Sequence, residues 1–263
     1  MTGASRGIGR GVALELAHRG FDVVATMRRV DDGADLSALA AGGPGSLRVE
    51  RLDVTDPDSI ALPEEMRVLV NNAGTEREHP AFEATPIELW RSMYETNVFG
   101  LIEVTRRAIP ALRRAGGGVL CNVTSSSVLA PVPFYAPYRS SKAAVGAIGE
   151  SLRAELAPFG IRVLEIMPGP IDTDMLAGSA RPPEAIDDPD YRPMAVRYAD
   201  GRSAVEDQKT SVEDAARAIV DAIVDDDAPL RVACDPLAVG LLSAWRANSD
   251  EDVMQMMLPA WIG

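Results

Sequence analysis

The 263-residue chain contains few of the residues that build disulfide frameworks or metal centres. Its two cysteines, Cys121 and Cys234, are too few for a disulfide scaffold and favour a reducing compartment, so we expect a cytoplasmic protein. Its two histidines, His18 and His79, lie far apart in the sequence, and neither has a second ligand at metal-binding spacing. This scarcity argues against a zinc site and against a serine–histidine hydrolase.

Long apolar runs and excess positive charge are also missing from the sequence. No apolar stretch reaches the roughly 18 residues that a membrane span requires, and the first residues lack the basic and apolar segments of a secretion signal. The formal net charge of -13 repels nucleic acid and acidic membrane surfaces. We therefore expect a soluble protein that binds a small molecule and neither nucleic acid nor a membrane.

The sequence does contain a regular alternation of β-branched apolar runs and segments with helical periodicity. This pattern is typical of a doubly wound parallel sheet covered by helices on both faces, so it predicts an α/β fold, here as one domain over 1–263. The predicted strands are 22–27, 47–52, 68–71, 119–123, 163–167 and 230–233. The predicted helices are 7–19, 87–115, 138–157, 212–224, 238–246 and 250–257.

Two connections in this pattern are irregular. The segment 53–67 has room for only a turn or two of helix, because prolines limit it on both sides. The segment 177–201 contains four prolines and cannot form one continuous helix. We expect the region of about 174–211 to form an excursion from the domain, and two interpretations remain open, a lid beside the site and a surface loop.

The first candidate functional feature is the glycine-rich stretch Thr2-Gly3-Ala4-Ser5-Arg6-Gly7-Ile8-Gly9, which leads directly into an amphipathic helix. Glycines let the backbone turn tightly and approach a ligand closely. The amino terminus of a helix offers free N–H groups and a positive dipole to a diphosphate. Taken alone, the stretch is equally compatible with an ordinary tight turn before a helix.

The second candidate feature is Tyr138-Arg139-Ser140-Ser141-Lys142 at the start of a predicted helix. Residues four apart share one helix face, so the phenol and the ammonium can face the same site. A nearby cation favours the phenolate and lowers the phenol pKa from its usual value of about 10, which makes proton transfer practicable. This spacing is also common on helix surfaces and is not diagnostic alone.

Together these two features resemble the classical short-chain dehydrogenase/reductase family, which combines a Thr-Gly-x-x-x-Gly-x-Gly loop with a later Tyr-x-x-x-Lys. Further motifs agree in order and spacing from Thr2 to about Thr173, namely Asn71-Asn72-Ala73-Gly74, Glu95-Thr96-Asn97, Asn122-Val123-Thr124-Ser125 and Pro168-Gly169-Pro170-Ile171-Asp172-Thr173. The resemblance implies a Rossmann-like fold, hydride transfer between a carbonyl and a secondary alcohol, and a homodimer or homotetramer.

The resemblance also implies a role for each matching residue. Ser125 would hydrogen-bond the substrate oxygen, and Tyr138 would donate or accept its proton. Lys142 would lower the tyrosine pKa and bind the nicotinamide ribose, and Asn97 would support a water path to Lys142. The cofactor-binding positions would be Gly3, Ser5, Arg6, Gly7, Ile8, Gly9, Arg28, Asp53, Val54, Asn71, Ala73, Gly74, Tyr138, Lys142, Pro168, Gly169, Ile171 and Thr173.

The choice of serine is less certain from the residues alone, because Thr124, Ser126 and Ser127 carry hydroxyls beside Ser125. Spacing to Tyr138 favours Ser125.

The expected cofactor preference follows from the residues at the end of the family's second strand, which is the strand predicted at 22–27 here. Enzymes that prefer NAD place an acid there for the ribose hydroxyls, whereas arginine suits a 2′-phosphate. Here Met27 occupies the matching position, Arg28 and Arg29 follow it, and Arg6 lies in the glycine loop. We expect NADP(H) to be preferred over NAD(H), the alternative being that these arginines are only solvated surface residues.

The substrate is expected to be bulky and apolar. Candidate pocket residues lie between Ser125 and Tyr138 and after Thr173, although core packing explains each of them equally well. The tail resembles the 17β-hydroxysteroid dehydrogenase-like and retinol dehydrogenase-like branch, which implies a steroid, retinoid or polyketide-like substrate. The candidate pocket residues are Val128, Leu129, Phe134, Tyr135, Met175 and Leu176.

Two rival functions use the same fold, a non-catalytic NADP(H)-binding redox sensor and a lyase or dehalogenase. The intact Ser125, Tyr138 and Lys142 argue against the sensor, and the complete nicotinamide-side loop argues against the lyase.

The sequence departs from the family pattern before the glycine loop. The family has a strand of roughly six apolar residues there, whereas only Met1 precedes Thr2 in this sequence. We expect an upstream natural start or a truncation, and a chain less stable than an extended form.

Overall fold

Strands and helices alternate along the chain, and all six predicted strands are present, whereas the helices Leu36–Leu39, Asp174–Ser179 and Arg192–Glu206 were not predicted. The structure, a computed structural model, describes residues 1–179 and 181–262. The strands are β1 (Asp22–Met27), β2 (Ser46–Arg51), β3 (Val68–Asn71), β4 (Gly118–Val123), β5 (Ile161–Met167) and β6 (Arg231–Ala233). The helices are α1 (Gly7–His18), α2 (Leu36–Leu39), α3 (Ile87–Tyr94), α4 (Gly100–Arg114), α5 (Ala136–Leu156), α6 (Asp174–Ser179), α7 (Arg192–Glu206), α8 (Val212–Val224), α9 (Pro236–Ala247) and α10 (Asp250–Ile262). None of the described helices has the length and apolar character to cross a bilayer.

The strands form a parallel sheet in two parts, which confirms the predicted α/β class. One part has the order β2-β1 and the other β3-β4-β5-β6, and every pairing is parallel. The first residues of the chain lie between the two parts. Met1 donates from its amino group to the Val24 carbonyl and accepts from the Thr26 N–H, both in β1. Thr2 donates from its main-chain N–H to the Val70 carbonyl of β3 at 3.0 Å. These few residues therefore bond to the two strands that would flank the family's first strand.

Each face of the sheet is covered by helices whose apolar residues recur at helical spacing. On one face, Val12 and Leu16 of α1 pack with Ile219 and Ile223 of α8 against the sheet. The spacing of four residues in each helix places both side chains of a pair on one stripe. The opposite face packs a second cluster under α4 and α5, which contains Leu69, Val104, Ala108, Leu112, Leu120 and Val163.

The predicted helix 87–115 is interrupted in the structure. A π-helical turn, Glu95–Phe99, joins α3 to α4 and carries the candidate site residue Asn97. A π-turn holds one extra residue and is rare, and it occurs frequently at functional sites. The hydrophobic periodicity predicts the helix but not this break.

The excursion at 174–211 consists of short helical pieces, which confirms that 177–201 is not one helix. Helix α6 is followed by a 3₁₀ turn at Glu184–Asp187 and then by α7. Tyr198 of α7 is fully buried, and Trp261 of α10 lies against the same helix, with ring centroids 6.4 Å apart. The excursion therefore lies over the body of the protein, while its action as a lid stays a prediction.

We expect Leu120→Ala to lower the free energy of unfolding by about 2 to 5 kcal/mol, because it leaves a cavity at a fully buried position of β4. Urea unfolding measures this loss. Leu39→Ala is the matched control, since Leu39 of α2 is 52% exposed, and its change should stay within about 0.5 kcal/mol. Equal losses in the two variants would contradict the packing described here.

Candidate active site

The glycine-rich loop has the backbone geometry that its sequence predicts. Gly3 and Gly7 have φ of +66° and +54°, a left-handed region that favours glycine. A Cβ on Gly9 would collide with the Gly3 carbonyl oxygen and with the side-chain amide of Asn72. Helix α1 starts at Gly7 without a side-chain cap. The loop thus presents the open N–H groups of a helix start at close range, which suits an anion.

Asn72 fixes this loop to the end of β3. Its Nδ2 donates to the carbonyl oxygens of Thr2 and Gly3 at 3.2 and 2.9 Å. In return, Thr2 Oγ1 accepts from the main-chain N–H groups of Asn72 and Ala73, both at 3.1 Å. The sequence interpretation missed Asn72, although it lies within the motif that carried its neighbours.

Asn71 is directed elsewhere. Its Nδ2 donates to Thr105 Oγ1 at 2.8 Å and to Asn122 Oδ1 at 3.0 Å, in the buried layer beneath α4. Any contact of Asn71 with a cofactor would therefore come from its main chain. Gly74 lies closer to the candidate catalytic residues, because a Cβ there would be 3.3 Å from Lys142 Nζ.

The loop after β5 lies against the glycine-rich loop. A Cβ on Gly7 would be 3.1 Å from Cγ2 of Thr173, so these two predicted site residues face each other. Ile171 pairs with Thr210, and the Gly169 N–H donates to Asp235 Oδ2 at 2.6 Å. Asp235, a buried residue that also caps α9, is a second position that the sequence interpretation missed. Its role is to hold this loop in place.

The predicted catalytic residues converge where β4 ends and α5 begins. Ser125 lies near the Tyr138 phenol, where its side chain acts to lower the phenol pKa. Lys142 Nζ donates to the Val123 carbonyl oxygen at 2.8 Å and lies 5.9 Å from the centre of the Tyr138 ring. Both α5 side chains are buried. Pro137 in the first turn of α5 favours the helix start that presents them.

The neighbouring hydroxyls are engaged in other contacts. Thr124 Oγ1 bonds to Glu165 Oε1 at 3.1 Å, on the interior of the sheet. Ser127 donates to Ser125 Oγ from its main-chain N–H at 3.2 Å and from its hydroxyl at 2.9 Å. Ser125 is therefore the hydroxyl of this group that acts on Tyr138, and Ser127 orients it.

Asn97 connects three parts of the site. Its Nδ2 donates to the Thr75 carbonyl oxygen at 2.9 Å and to Ser141 Oγ at 3.0 Å, and its Oδ1 accepts from the Thr75 N–H at 2.8 Å. The side-chain amide is occupied by these contacts. A water path to Lys142 would thus use the main chain of Asn97, and the side chain fixes the loop after β3 to α5.

Burial is the largest electrostatic influence on both Tyr138 and Lys142. Burial raises the pKa of Tyr138 well above its usual value, and the charge of Glu76 raises it further. The Ser125 side chain and the charge of Arg202 act to lower the pKa and only partly oppose this rise. Burial lowers the pKa of Lys142 to about 8. Desolvation is thus the largest influence on the phenol, and the lowering of its pKa by Lys142 stays a prediction.

The predicted pocket residues divide into two groups. Val128 and Leu129 pack with Met167 and Leu242 beneath α9, which is the core packing that the sequence left open as the alternative to a pocket. The 3₁₀ turn Ser126–Leu129 turns them to that side. Tyr135 lies on the other side, toward Tyr138, and the centroids of the two rings are 5.2 Å apart.

The excursion supplies the remaining aromatic contacts on the Tyr138 side. The Phe134 ring lies 6.1 Å from both Tyr191 and Tyr198. Leu176 of α6 is buried, whereas Met175 is 41% exposed.

The predicted phosphate-binding arginines lie at the surface. Among the described residues, Arg28 forms no ion pair, while Arg29 pairs with Asp32 at 3.0 Å. Arg6 pairs with Asp174 at 3.2 Å, with both side chains more than two-thirds exposed. Asp53 follows β2, where its Oδ1 accepts from the Thr55 N–H at 3.0 Å, and the adjacent Val54 is buried.

Comparison with known proteins identifies the family that shares these motifs. The family model of the short chain dehydrogenases matches residues 1–183. An uncharacterized oxidoreductase, YusZ, of Bacillus subtilis is 42% identical over 189 residues, 68% of this chain and 66% of that protein. Human retinol dehydrogenase 8 is 33% identical over 183 residues, 66% of this chain and 58% of that protein. The matches thus span two thirds or less of these relatives.

Among solved structures, a short chain dehydrogenase from Burkholderia cenocepacia in complex with NADP superposes with a TM-score of 0.77. It is 29% identical and the match covers 98% of this chain and 95% of that one. The likeness therefore extends over the whole arrangement of sheet and helices described above.

We expect Lys142→Met to raise the free energy of unfolding at neutral pH by about 2 to 3 kcal/mol, because it removes a buried ammonium. Below pH 8 Lys142 is protonated in the folded and unfolded chains, so the folded chain bears the full desolvation penalty. As the pH rises from 8 to 10.5, only the unfolded chain keeps the proton, and the penalty disappears.

Urea unfolding of both proteins across this pH range measures the difference. The control is Lys209→Met, since Lys209 is half exposed in an ion pair with Asp172. A gain in Lys142→Met that does not change with pH would contradict this account of the site.

Proposed function

The chain belongs to the short-chain dehydrogenase family, and from this premise we propose that it interconverts a carbonyl compound and a secondary alcohol with NADP(H). The observation that carries the proposal is the grouping of Ser125, Tyr138 and Lys142 at the carboxyl end of the sheet, where the glycine-rich loop also lies. The NADP complex of the Burkholderia relative supports the choice of cofactor.

The dinucleotide fits the residues that are present. The uncapped start of α1 and the close backbone at Gly3 and Gly9 form a cradle that any side chain would fill. The pyrophosphate would lie on this cradle, and the nicotinamide end would lie between Thr173 and Lys142. When bound, the cofactor supplies or accepts a hydride.

Proton transfer is the task of Tyr138. In the reductive direction its phenol donates a proton to the substrate oxygen, while the Ser125 hydroxyl holds that oxygen. The raised pKa of Tyr138 keeps the phenol protonated at neutral pH, which suits a proton donor. In the oxidative direction the phenolate must form, and the Lys142 ammonium, held by the Val123 carbonyl, stabilises it.

Preference for NADP(H) over NAD(H) is part of the proposal. Met27 ends β1 where an acid would bind ribose hydroxyls, so no carboxylate at this position opposes a 2′-phosphate. Arg28 is exposed beside it with no ion pair to another described residue. Arg6 can leave Asp174 and bind a phosphate at little cost, because an exposed ion pair contributes little to the stability of the folded protein.

The substrate is proposed to be bulky and largely apolar. The aromatic side chains of Tyr135, Phe134 and Tyr198 on the Tyr138 side support this choice. We further propose one domain in which 174–211 acts as a lid over these rings, a homodimer or homotetramer, and a cytoplasmic location.

We expect Tyr138→Phe to lower kcat by about 10² to 10⁴-fold with little change in NADPH affinity, because it removes the transferred proton and keeps the ring. Spectrophotometry of NADPH oxidation with apolar ketones and fluorescence titration of NADPH measure the two quantities. Tyr94→Phe, at the half-buried end of α3, is the control and should retain activity. Binding of NADPH without turnover in the unsubstituted protein would favour the redox sensor instead.

Arg28→Ala should reduce kcat/KM with NADPH by about 10 to 100-fold while changing that with NADH much less, because it removes a charge-assisted hydrogen bond to the 2′-phosphate. Arg29→Ala is the matched control, since Arg29 is already paired with Asp32. A higher kcat/KM with NADH in the unsubstituted protein would contradict the cofactor preference.

A further inference from the structure

A buried carboxylate and a buried imidazole lie next to the proposed catalytic residues, and the mechanism uses neither. Glu76 and His79 belong to the loop after β3, and their side chains are only 9% and 4% exposed. The loop reaches this position because Thr75 is bonded to Asn97 through both its N–H and its carbonyl group. Glu76, the next residue, is therefore held close to α5, because Asn97 also bonds to Ser141 beside Lys142.

The facing atoms of this pair lack satisfactory partners. Glu76 Oε1 and His79 Nε2 lie 3.0 Å apart, yet their alignment is not that of a hydrogen bond. Neither atom has another hydrogen-bond partner among the described residues. Buried polar atoms are rarely left in this state, because desolvation without a partner is unfavourable. One additional polar group that hydrogen-bonds to both Glu76 Oε1 and His79 Nε2 would satisfy the pair.

The surroundings of His79 leave only its Nε2 edge for such a group. The main-chain N–H of His79 donates to Glu184 Oε2 at 2.6 Å, and its Nδ1 lies 3.4 Å from the Tyr198 hydroxyl oxygen. The edge of its ring packs against Tyr135, with centroids 4.7 Å apart. The imidazole is therefore fixed from the excursion on one side and from α5 on the other.

Two observations place the pair within reach of a substrate bound at Tyr138. Tyr135 contacts both rings, since its centroid is 4.7 Å from that of His79 and 5.2 Å from that of Tyr138. The charge of Glu76 also raises the pKa of both Tyr138 and Lys142. The carboxylate thus faces the same interior as the phenol.

We propose that Glu76 and His79 form a polar subsite for a hydrogen-bond-donating substituent, a hydroxyl or an ammonium group, next to the reacting carbon of the substrate. The inference rests on the proposed function and refines it, because the substrate is then bulky and apolar except at this substituent. It makes Glu76 a determinant of specificity.

Both kinds of donor satisfy both atoms. A hydroxyl donates to Glu76 Oε1 and accepts from the N–H of His79 when the ring proton is on Nε2. An ammonium donates to both atoms when the ring proton moves to Nδ1, where the Tyr198 oxygen accepts it. An alkyl substituent leaves both atoms unsatisfied, and a carboxylate is repelled by Glu76.

Four alcohols that share a phenyl group on the reacting carbon test the subsite. They are 2-amino-1-phenylethanol, 1-phenylethane-1,2-diol, 1-phenylpropan-1-ol and mandelate, which differ only in the adjacent group. With NADP⁺ at neutral pH, we expect kcat/KM for the amino alcohol and the diol to exceed that for 1-phenylpropan-1-ol by about tenfold or more. Mandelate should be the poorest of the four.

The variant Glu76→Gln keeps the shape of the side chain and removes its charge. The ratio of kcat/KM for the amino alcohol to that for 1-phenylpropan-1-ol should fall by about tenfold in this variant. A ratio is the appropriate readout, because any effect of Glu76 on the Tyr138 proton acts on all four alcohols and cancels. Glu78→Gln is the matched control in the same loop, since Glu78 is exposed, and it should keep the wild-type ratio.

The outcomes separate the inference from the proposed function. Equal kcat/KM for the diol and 1-phenylpropan-1-ol, or a preference that survives Glu76→Gln, overturns the subsite and leaves the oxidoreductase intact. Absence of turnover with these alcohols and with apolar ketones overturns the proposed function. In that event, calorimetric titration of 2-amino-1-phenylethanol into the NADP⁺-loaded protein decides the subsite, which requires binding that weakens in Glu76→Gln.

Discussion

The hydrogen bonds between the glycine-rich loop and Asn72 are the contact on which the rest of the site depends. They fix a flexible, glycine-containing turn to the carboxyl end of β3, so that the start of α1 and the catalytic edge of β4 keep one geometry. Because a side chain at Gly9 would occupy the space of the Asn72 amide, the loop and its anchor require each other. Thr2 also donates from its main-chain N–H to Val70 of β3, while Met1 and Ala4 bond to Thr26 of β1, so this segment connects the two parts of the sheet.

A second set of contacts extends this order to the catalytic residues. Asn97 joins the loop after β3 to α5, and Asp235 holds the loop after β5, so each segment around Tyr138 is fixed by a buried polar side chain. The site itself is less favourable for stability, because it buries an ammonium at Lys142 and unsatisfied atoms at Glu76 and His79. The scaffold tolerates these groups because the surrounding hydrogen bonds leave them little freedom to move to solvent.

The strands and long helices were predictable because buried parallel strands and amphipathic helices leave strong patterns. The strand predicted at 68–71 and the helix predicted at 212–224 match β3 and α8 residue for residue. Helix α2 was missed because its four residues are too few to show a period. Tyr138 and Lys142 were predictable from motif spacing. Val128 and Leu129 could not be assigned to pocket or core and Glu76 was missed, because no local pattern tells which way a side chain in a turn or loop points.

The π-turn at Glu95–Phe99 limits how this chain can vary in length. Removing one residue there would restore an uninterrupted α-helix and rotate α4 by about 100° relative to α3. The apolar stripe of α4 that includes Val104 and Leu112 would then leave the sheet, and Asn97 would leave Thr75. Elsewhere on the surface a deletion can be absorbed by a loop, but here a single lost codon would disrupt core and site together.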